Sequence, residues 1–109
     1  MSTISTHVLD TSMGKPAEGI QVKLANDRGV VGSGVTSADG RVTDLLPRGA
    51  ALSPGNYRLT FAVAEYFAMQ SRESFYDEIV IAFNVTSATD HYHVPLLLSP
   101  FGYSTYRGS

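Results

Sequence analysis

The sequence predicts an all-β fold, a sandwich of seven to eight short strands with at most one short helix. Three observations carry this. Apolar and polar residues alternate with a period of two in several separate stretches, the pattern of a strand that buries one face. Turn formers, chiefly Gly, Pro, Asn and Asp, punctuate the intervals between those stretches. Apolar residues make up 43% of the chain and charged residues 17%, enough to build a core and unlike a disordered composition. At 109 residues the chain is expected to be one domain over 1–109.

The elements follow in order. Ile4 to Asp10 is rich in β-branched residues and ends at a loop punctuated by Gly14 and Pro16. Ile20, Val22 and Leu24 alternate with Gln21, Lys23 and Ala25. Asn26-Asp27-Arg28-Gly29 reads as a hairpin turn, with Gly29 available for positive φ. Val30 to Thr36 returns as the partner strand, and Gly32 and Gly34 within it predict a bulge or bend. Ala38-Asp39-Gly40 turns again and delivers Arg41, while Pro47 to Gly55 reads as a loop. Tyr57, Leu59, Phe61 and Val63 alternate with Arg58, Thr60 and Ala62 as a half-buried strand. Glu65 to Arg72 is the one candidate helix. Ile79 to Val85 and His91 to Leu98 are the next strands. After the Ser99–Gly102 turn, Tyr103 to Arg107 extends to the C-terminus.

The strand at His91 has two distinct faces. Tyr92, Val94, Leu96 and Leu98 suit a sandwich core, whereas the other face sets His91 and His93 beside Pro95 and Leu97. Apolar groups mixed with imidazoles fit open water poorly and fit a partner subunit well, so oligomerisation is expected.

Composition narrows the function classes. Eight Lys and Arg against ten Asp and Glu give a formal charge of −2, without the basic excess that a general nucleic-acid binder or polybasic membrane protein needs. Zero Cys removes disulfides, thiolate nucleophiles and Cys-ligated metals. No apolar run approaches the length that crosses a bilayer. Met1 to His7 shows neither a basic region nor an apolar one, so no signal peptide is visible and the cytoplasm is the expected compartment.

The chemistry-bearing candidates are the three His and one Arg. His91 and His93 share a strand face, and with His7 they could chelate zinc, hydrogen-bond at a polar interface, or act as general acids and bases. Arg41 is either a solvated turn residue or a planar fork for an anionic or polar ligand. Gly32-Ser33-Gly34 lacks the strand–turn–helix setting of a nucleophilic serine, and the phosphate-loop and dinucleotide glycine patterns are absent. Spacing alone leaves these readings open.

The last nineteen residues are more specific. His91-Tyr92-His93-Val94-Pro95-Leu96-Leu97-Leu98-Ser99-Pro100, followed by Tyr103-Ser104-Thr105-Tyr106-Arg107-Gly108-Ser109, strongly resembles the 5-hydroxyisourate hydrolases, the enzymatic branch of the transthyretin-like family. Ser5-Thr6-His7-Val8-Leu9-Asp10-Thr11 with Gly14-Lys15-Pro16-Ala17 matches that family's opening motif, and Asp39-Gly40-Arg41 and Gly55-Asn56-Tyr57 also match. The resemblance implies a transthyretin-like β-sandwich assembled as a homotetramer, with active sites in a channel at the dimer–dimer interface. It further implies hydrolysis of a ring amide of 5-hydroxyisourate, without metal or other cofactor. The residues it marks as catalytic are His7, Arg41, His93 and Tyr106. Those it marks for substrate binding are His7, Arg41, Tyr106 and Ser109, and the roles of His91, Ser104 and Arg107 stay open. The alternative is a non-enzymatic carrier of a small aromatic ligand in the same channel, for which His7, Arg41 and Tyr106 would be unnecessary.

Overall fold

A computed structural model of the chain describes residues 3–47 and 50–109. Two sheets face one another across a single apolar layer. The first contains Thr3–Asp10 (β1), Lys15–Pro16 (β2), Arg41–Val42 (β5), His91–Ser99 (β8) and Gly102–Thr105 (β9), in the order β2-β1-β8-β9 with β5 on the same edge of β1 as β2. The second runs β4-β3-β6-β7, where β3 is Gln21–Asn26, β4 Gly29–Val35, β6 Gly55–Phe61 and β7 Ile79–Val85. The all-β sandwich read from the sequence is the observed fold, with seven strands of four residues or more among the described residues. No helix among them is long and apolar enough to cross a membrane.

Alternation sets which side chains meet in the core. Ile4 and Val8 of β1 and Tyr92, Val94, Leu96 and Leu98 of β8 are buried against Val22, Leu24, Leu59, Phe61, Ile79 and Ile81 of the facing sheet. The bend predicted at the glycines of β4 is present as a register shift between Leu24 and Ala25 on the paired strand. Gly32 is required there, because a Cβ would lie 1.6 Å from the Leu45 carbonyl oxygen.

Three boundaries differ from the expectation. The helix (α1) spans Val63–Ala68 instead of 65–72, and the strand before it stops at Phe61. Val63 continues the strand-like alternation on paper, yet it starts a helical turn whose Val63, Tyr66 and Phe67 form one buried stripe. Residues 70–72 close a turn onto Phe67 and Ala68 through their backbone amides. The last strand ends at Thr105, although the register of its pairing with β8 (Leu97 with Ser104, Leu96 with Thr105) is resumed where His93 pairs with Gly108. Pro95 explains the gap, since it has no N–H to offer the ladder opposite Tyr106. Part of the loop expected at Pro47 to Gly55 (residues 48 and 49) and the first two residues of the N-terminal segment lie outside the described residues.

Candidate active site

β1 and β8 run parallel, and cross-strand neighbours share a face. The register therefore sets Thr3 beside His91, Ser5 beside His93 and His7 beside Pro95, all on the outer face of the sheet. On the other edge of β1, His7 pairs with Arg41 of β5. The turn that starts β5 is held by Gly40, at φ 78° and with its position against the Val8 carbonyl too tight for a Cβ. Strand pairing alone thus assembles Arg41, His7, Ser5, His93 and His91 from three segments.

A cavity of about 270 Å3 opens on this face, and its walls include Arg41, Thr43, Ser5, His91, His93 and Ser109. Ser109 reaches it because Gly108 lies across His93. The Gly108 amide donates to the His93 carbonyl at 2.8 Å, and a Cβ on Gly108 would meet His93 Cδ2 at 2.6 Å. Arg107 anchors the same segment from the other side of the strand, with its guanidinium 4.5 Å from the Tyr92 ring centroid and Nη2 donating to the His91 carbonyl at 3.4 Å. Arg107 is therefore a packing contact of the terminus and is not part of the cavity wall.

Polar groups dominate the electrostatics. His93 holds its proton less tightly than an ordinary imidazole, first because it is partly buried and then because His91, Arg41 and His7 add positive charge nearby. Its Nδ1 lies 2.7 Å from Ser5 Oγ, and Ser5 Oγ lies 3.2 Å from Nε2 of His91. Thr3 Oγ1 bonds the other nitrogen of His91. Arg41 is half-exposed and pairs with Asp39 at 3.4 Å, which leaves its fork free to turn toward a ligand. Among the described residues no three His, Asp or Glu converge as metal ligands.

Of the residues expected from sequence, Arg41, His93 and Ser109 line this cavity, and His7 lies in the same face beside Arg41. Tyr106 does not line it. It is 58% exposed and borders a separate apolar recess of about 230 Å3, with Ile81, Phe83, Tyr92 and Val94, at the edge between β7 and β9. A larger recess of about 430 Å3 between residues 26–28 and 53–57 holds no imidazole. Ser5 is the residue that sequence reasoning passed over. As a polar residue in an alternating strand it reads as solvent-facing, yet it is only 7% exposed and touches both imidazoles of β8.

Comparisons with known proteins agree with the fold. A model of the HIUase/Transthyretin family matches residues 4–108. A 5-hydroxyisourate hydrolase from Salmonella dublin is 46% identical over 97% of this chain and 80% of that protein. Among solved structures, 5-hydroxyisourate hydrolase from Klebsiella pneumoniae superposes with a TM-score of 0.90 at 43% identity, covering 100% of both chains. Sea bream transthyretin in complex with thyroxine superposes with a TM-score of 0.87 at 28% identity, covering 97% of this chain and 94% of that one. With the same sandwich and near-complete coverage in every comparison, the chain belongs to the HIUase/Transthyretin family.

Proposed function

We propose that the chain is a hydrolase of purine (urate) catabolism that opens the six-membered ring of 5-hydroxyisourate, giving 2-oxo-4-hydroxy-4-carboxy-5-ureidoimidazoline. The observation that carries this reading is the placement of His7, Arg41 and His93 on one sheet face, with Arg41 and His93 lining a polar cavity. Relatives matched over nearly the whole of this chain that carry the name 5-hydroxyisourate hydrolase support it.

In this mechanism His7 and His93 hold a water and remove its proton. A neutral imidazole is needed for that, and the lowered proton affinity of His93 keeps it neutral near pH 7. Arg41 binds the substrate's imide oxygens and opposes the negative charge that develops on the attacked carbonyl, a role in which one donor is worth roughly 100- to 1,000-fold in rate. Ser109 lies at the cavity wall, where it contributes to substrate binding. Tyr106 donates a hydrogen bond to the ring from the rim of the site. Because Tyr106 stands outside the polar cavity of a single chain, its participation belongs with the assembly.

That assembly is a homotetramer, a dimer of dimers whose channel joins two such faces. Leu97 and His93, half-buried, beside the exposed His91 support it, since a monomer leaves this mixed part of the face partly to water. The cytoplasmic location expected from the sequence is part of the same proposal. A carrier of a hydrophobic ligand would gain nothing from Arg41 and two imidazoles lining a polar cavity, which favours the enzyme.

The test is the ultraviolet decay of freshly made 5-hydroxyisourate in the presence of a metal chelator. Decay should be accelerated in proportion to protein concentration, and the active species should scatter light as a tetramer. Decay no faster than in buffer removes the hydrolase reading. An active monomer near 11.7 kDa removes the shared channel.

A further inference from the structure

Water activation by His7 and His93 leaves Ser5 and His91 without a task, yet both are wired to His93. The rings of His91 and His93 are nearly parallel, at 14°, with centroids 6.3 Å apart, too far for direct contact. Ser5 Oγ fills the gap, 2.7 Å from Nδ1 of His93 and 3.2 Å from Nε2 of His91. Thr3 Oγ1 closes the chain at Nδ1 of His91. Ser5 is almost wholly buried, so its hydroxyl is held in place, whereas His91 is exposed to solvent.

A hydroxyl has one proton, so Ser5 donates to one imidazole and accepts from the other. Two arrangements of the chain are consistent with these distances. In one, His93 donates Nδ1–H to Ser5, Ser5 donates to His91 Nε2, and His93 Nε2 is a free base. In the other every proton has moved one place, so that His93 carries Nε2–H and Ser5 donates back to His93 Nδ1. Among the described residues Nε2 of His93 has no hydrogen-bond partner, and no buried side-chain nitrogen or oxygen is left unpaired, so that nitrogen is open to the site.

We propose that Ser5 and His91 are positioning residues of the hydrolysis, forming a relay that lets His93 take and return a proton while the positive charge resides on His91. The relay rests on the hydrolase reading above. As the water O–H bond breaks and its oxygen bonds the ring carbonyl, the proton joins His93 Nε2. His93 Nδ1 passes its proton to Ser5 Oγ, and the Ser5 proton joins His91 Nε2, making His91 the imidazolium. When the ring C–N bond breaks, His93 gives the Nε2 proton to the leaving nitrogen. The Ser5 proton then returns to His93 Nδ1 and the His91 proton to Ser5, and the starting arrangement is restored.

The surrounding charges make this arrangement useful. His93 faces Arg41 from β5, His7 from β1, His91 on its own strand and Ser109 at the chain end. Burial, and then the nearby His91, Arg41 and His7, disfavour a charged His93. His91 is exposed to solvent, with Asp90 beside it in sequence.

The experiment compares the parent with Ser5→Ala and His91→Gln in single turnovers, measuring kcat, KM and the rate as a function of deuterium fraction in the solvent. Ser5→Ala cuts the relay, and His91→Gln keeps a hydrogen bond to Ser5 but cannot take the charge. The expected result is a curved deuterium dependence for the parent, with several protons in motion, and a linear one for both variants. Their kcat should fall about tenfold or more, at the low end of general acid–base effects, with KM within about twofold. A linear dependence in the parent, or curvature retained by His91→Gln, overturns the relay even if kcat falls. Should Ser5→Ala fail to fold, the exposed His91 carries the test alone. A parent that does not accelerate substrate decay overturns the hydrolase reading first, and that outcome is distinct from an active parent with unchanged variants.

Discussion

Replacing Asp10 by Asn should remove a pH-dependent part of the stability that can be stated in advance. The Asp10 side chain is fully buried at the end of β1, and its two oxygens accept five hydrogen bonds. Oδ1 takes the Ser12 amide and hydroxyl and the Met13 amide, while Oδ2 takes the Tyr66 hydroxyl and Arg72 Nη1, each at 2.8 Å. Burial alone would raise the Asp10 pKa, but hydrogen bonds from Arg72, Ser12 and Tyr66 outweigh it and hold the value at about 2, against 3.8 for a free side chain. The folded pKa is the depressed one, so the contribution is full above pH 4 and disappears as pH falls through about 2. Its size is about 2 kcal/mol, at 1.36 kcal/mol per pKa unit, and about half should be gone by pH 3. Urea unfolding of parent and Asp10→Asn at fixed protein concentration measures it. The midpoints should differ by about 1 M at pH 7 and draw together between pH 4 and pH 2. A difference that stays constant over that range would show that the carboxylate's charge contributes nothing and that the loss is one of packing.

The remaining predictions concern the site. His7→Ala and His93→Ala should each lower turnover by at least about two decades, and the double variant should be little worse than either, because both act on one water; near-normal turnover in a single variant removes that residue from the mechanism. Gly108→Ala should push the terminus off His93, since its Cβ would lie 2.6 Å from the ring, and should depress turnover while leaving the thermal midpoint within a few degrees. Deleting residues 106–109 should leave a folded tetramer that turns over orders of magnitude more slowly, because the segment adds no residue to the buried core. Tyr106→Phe should cost only about two- to twelvefold, the worth of one hydrogen bond.

The sheet face was legible because alternation fixes which residues of β1 and β8 point together, and a two-residue period leaves no other option once Tyr92, Val94 and Leu96 are inside. The helix boundary was not, because Val63 satisfies the strand pattern and only the tertiary packing of Tyr66 and Phe67 decides for the helix. The strands β2 and β5 are two residues each, too short to show any period, so the pairing that sets Arg41 beside His7 has no local signature. Ser5 shows the same limit. Its contacts lie 86 and 88 residues away in sequence, and no local property of a serine between Ile4 and Thr6 distinguishes a relay hydroxyl from a solvated one.

The parallel pairing of β1 with β8 also has a consequence for synthesis. These strands are far apart in sequence, and among the described residues only β8 pairs with β1 along its whole length. A ribosome that has released the first 85 residues has delivered β1 with two partners of two residues each, while all four strands of the facing sheet are out. One half of the sandwich can therefore form during translation, and the other must wait for β8. Its long loop closure is the kind of step that slows folding and exposes apolar strand faces in the interval. Termination anywhere before β8 leaves a fragment without a covered core and without His93, so nonsense fragments of this chain are expected to be cleared by proteolysis without ever having been partly active.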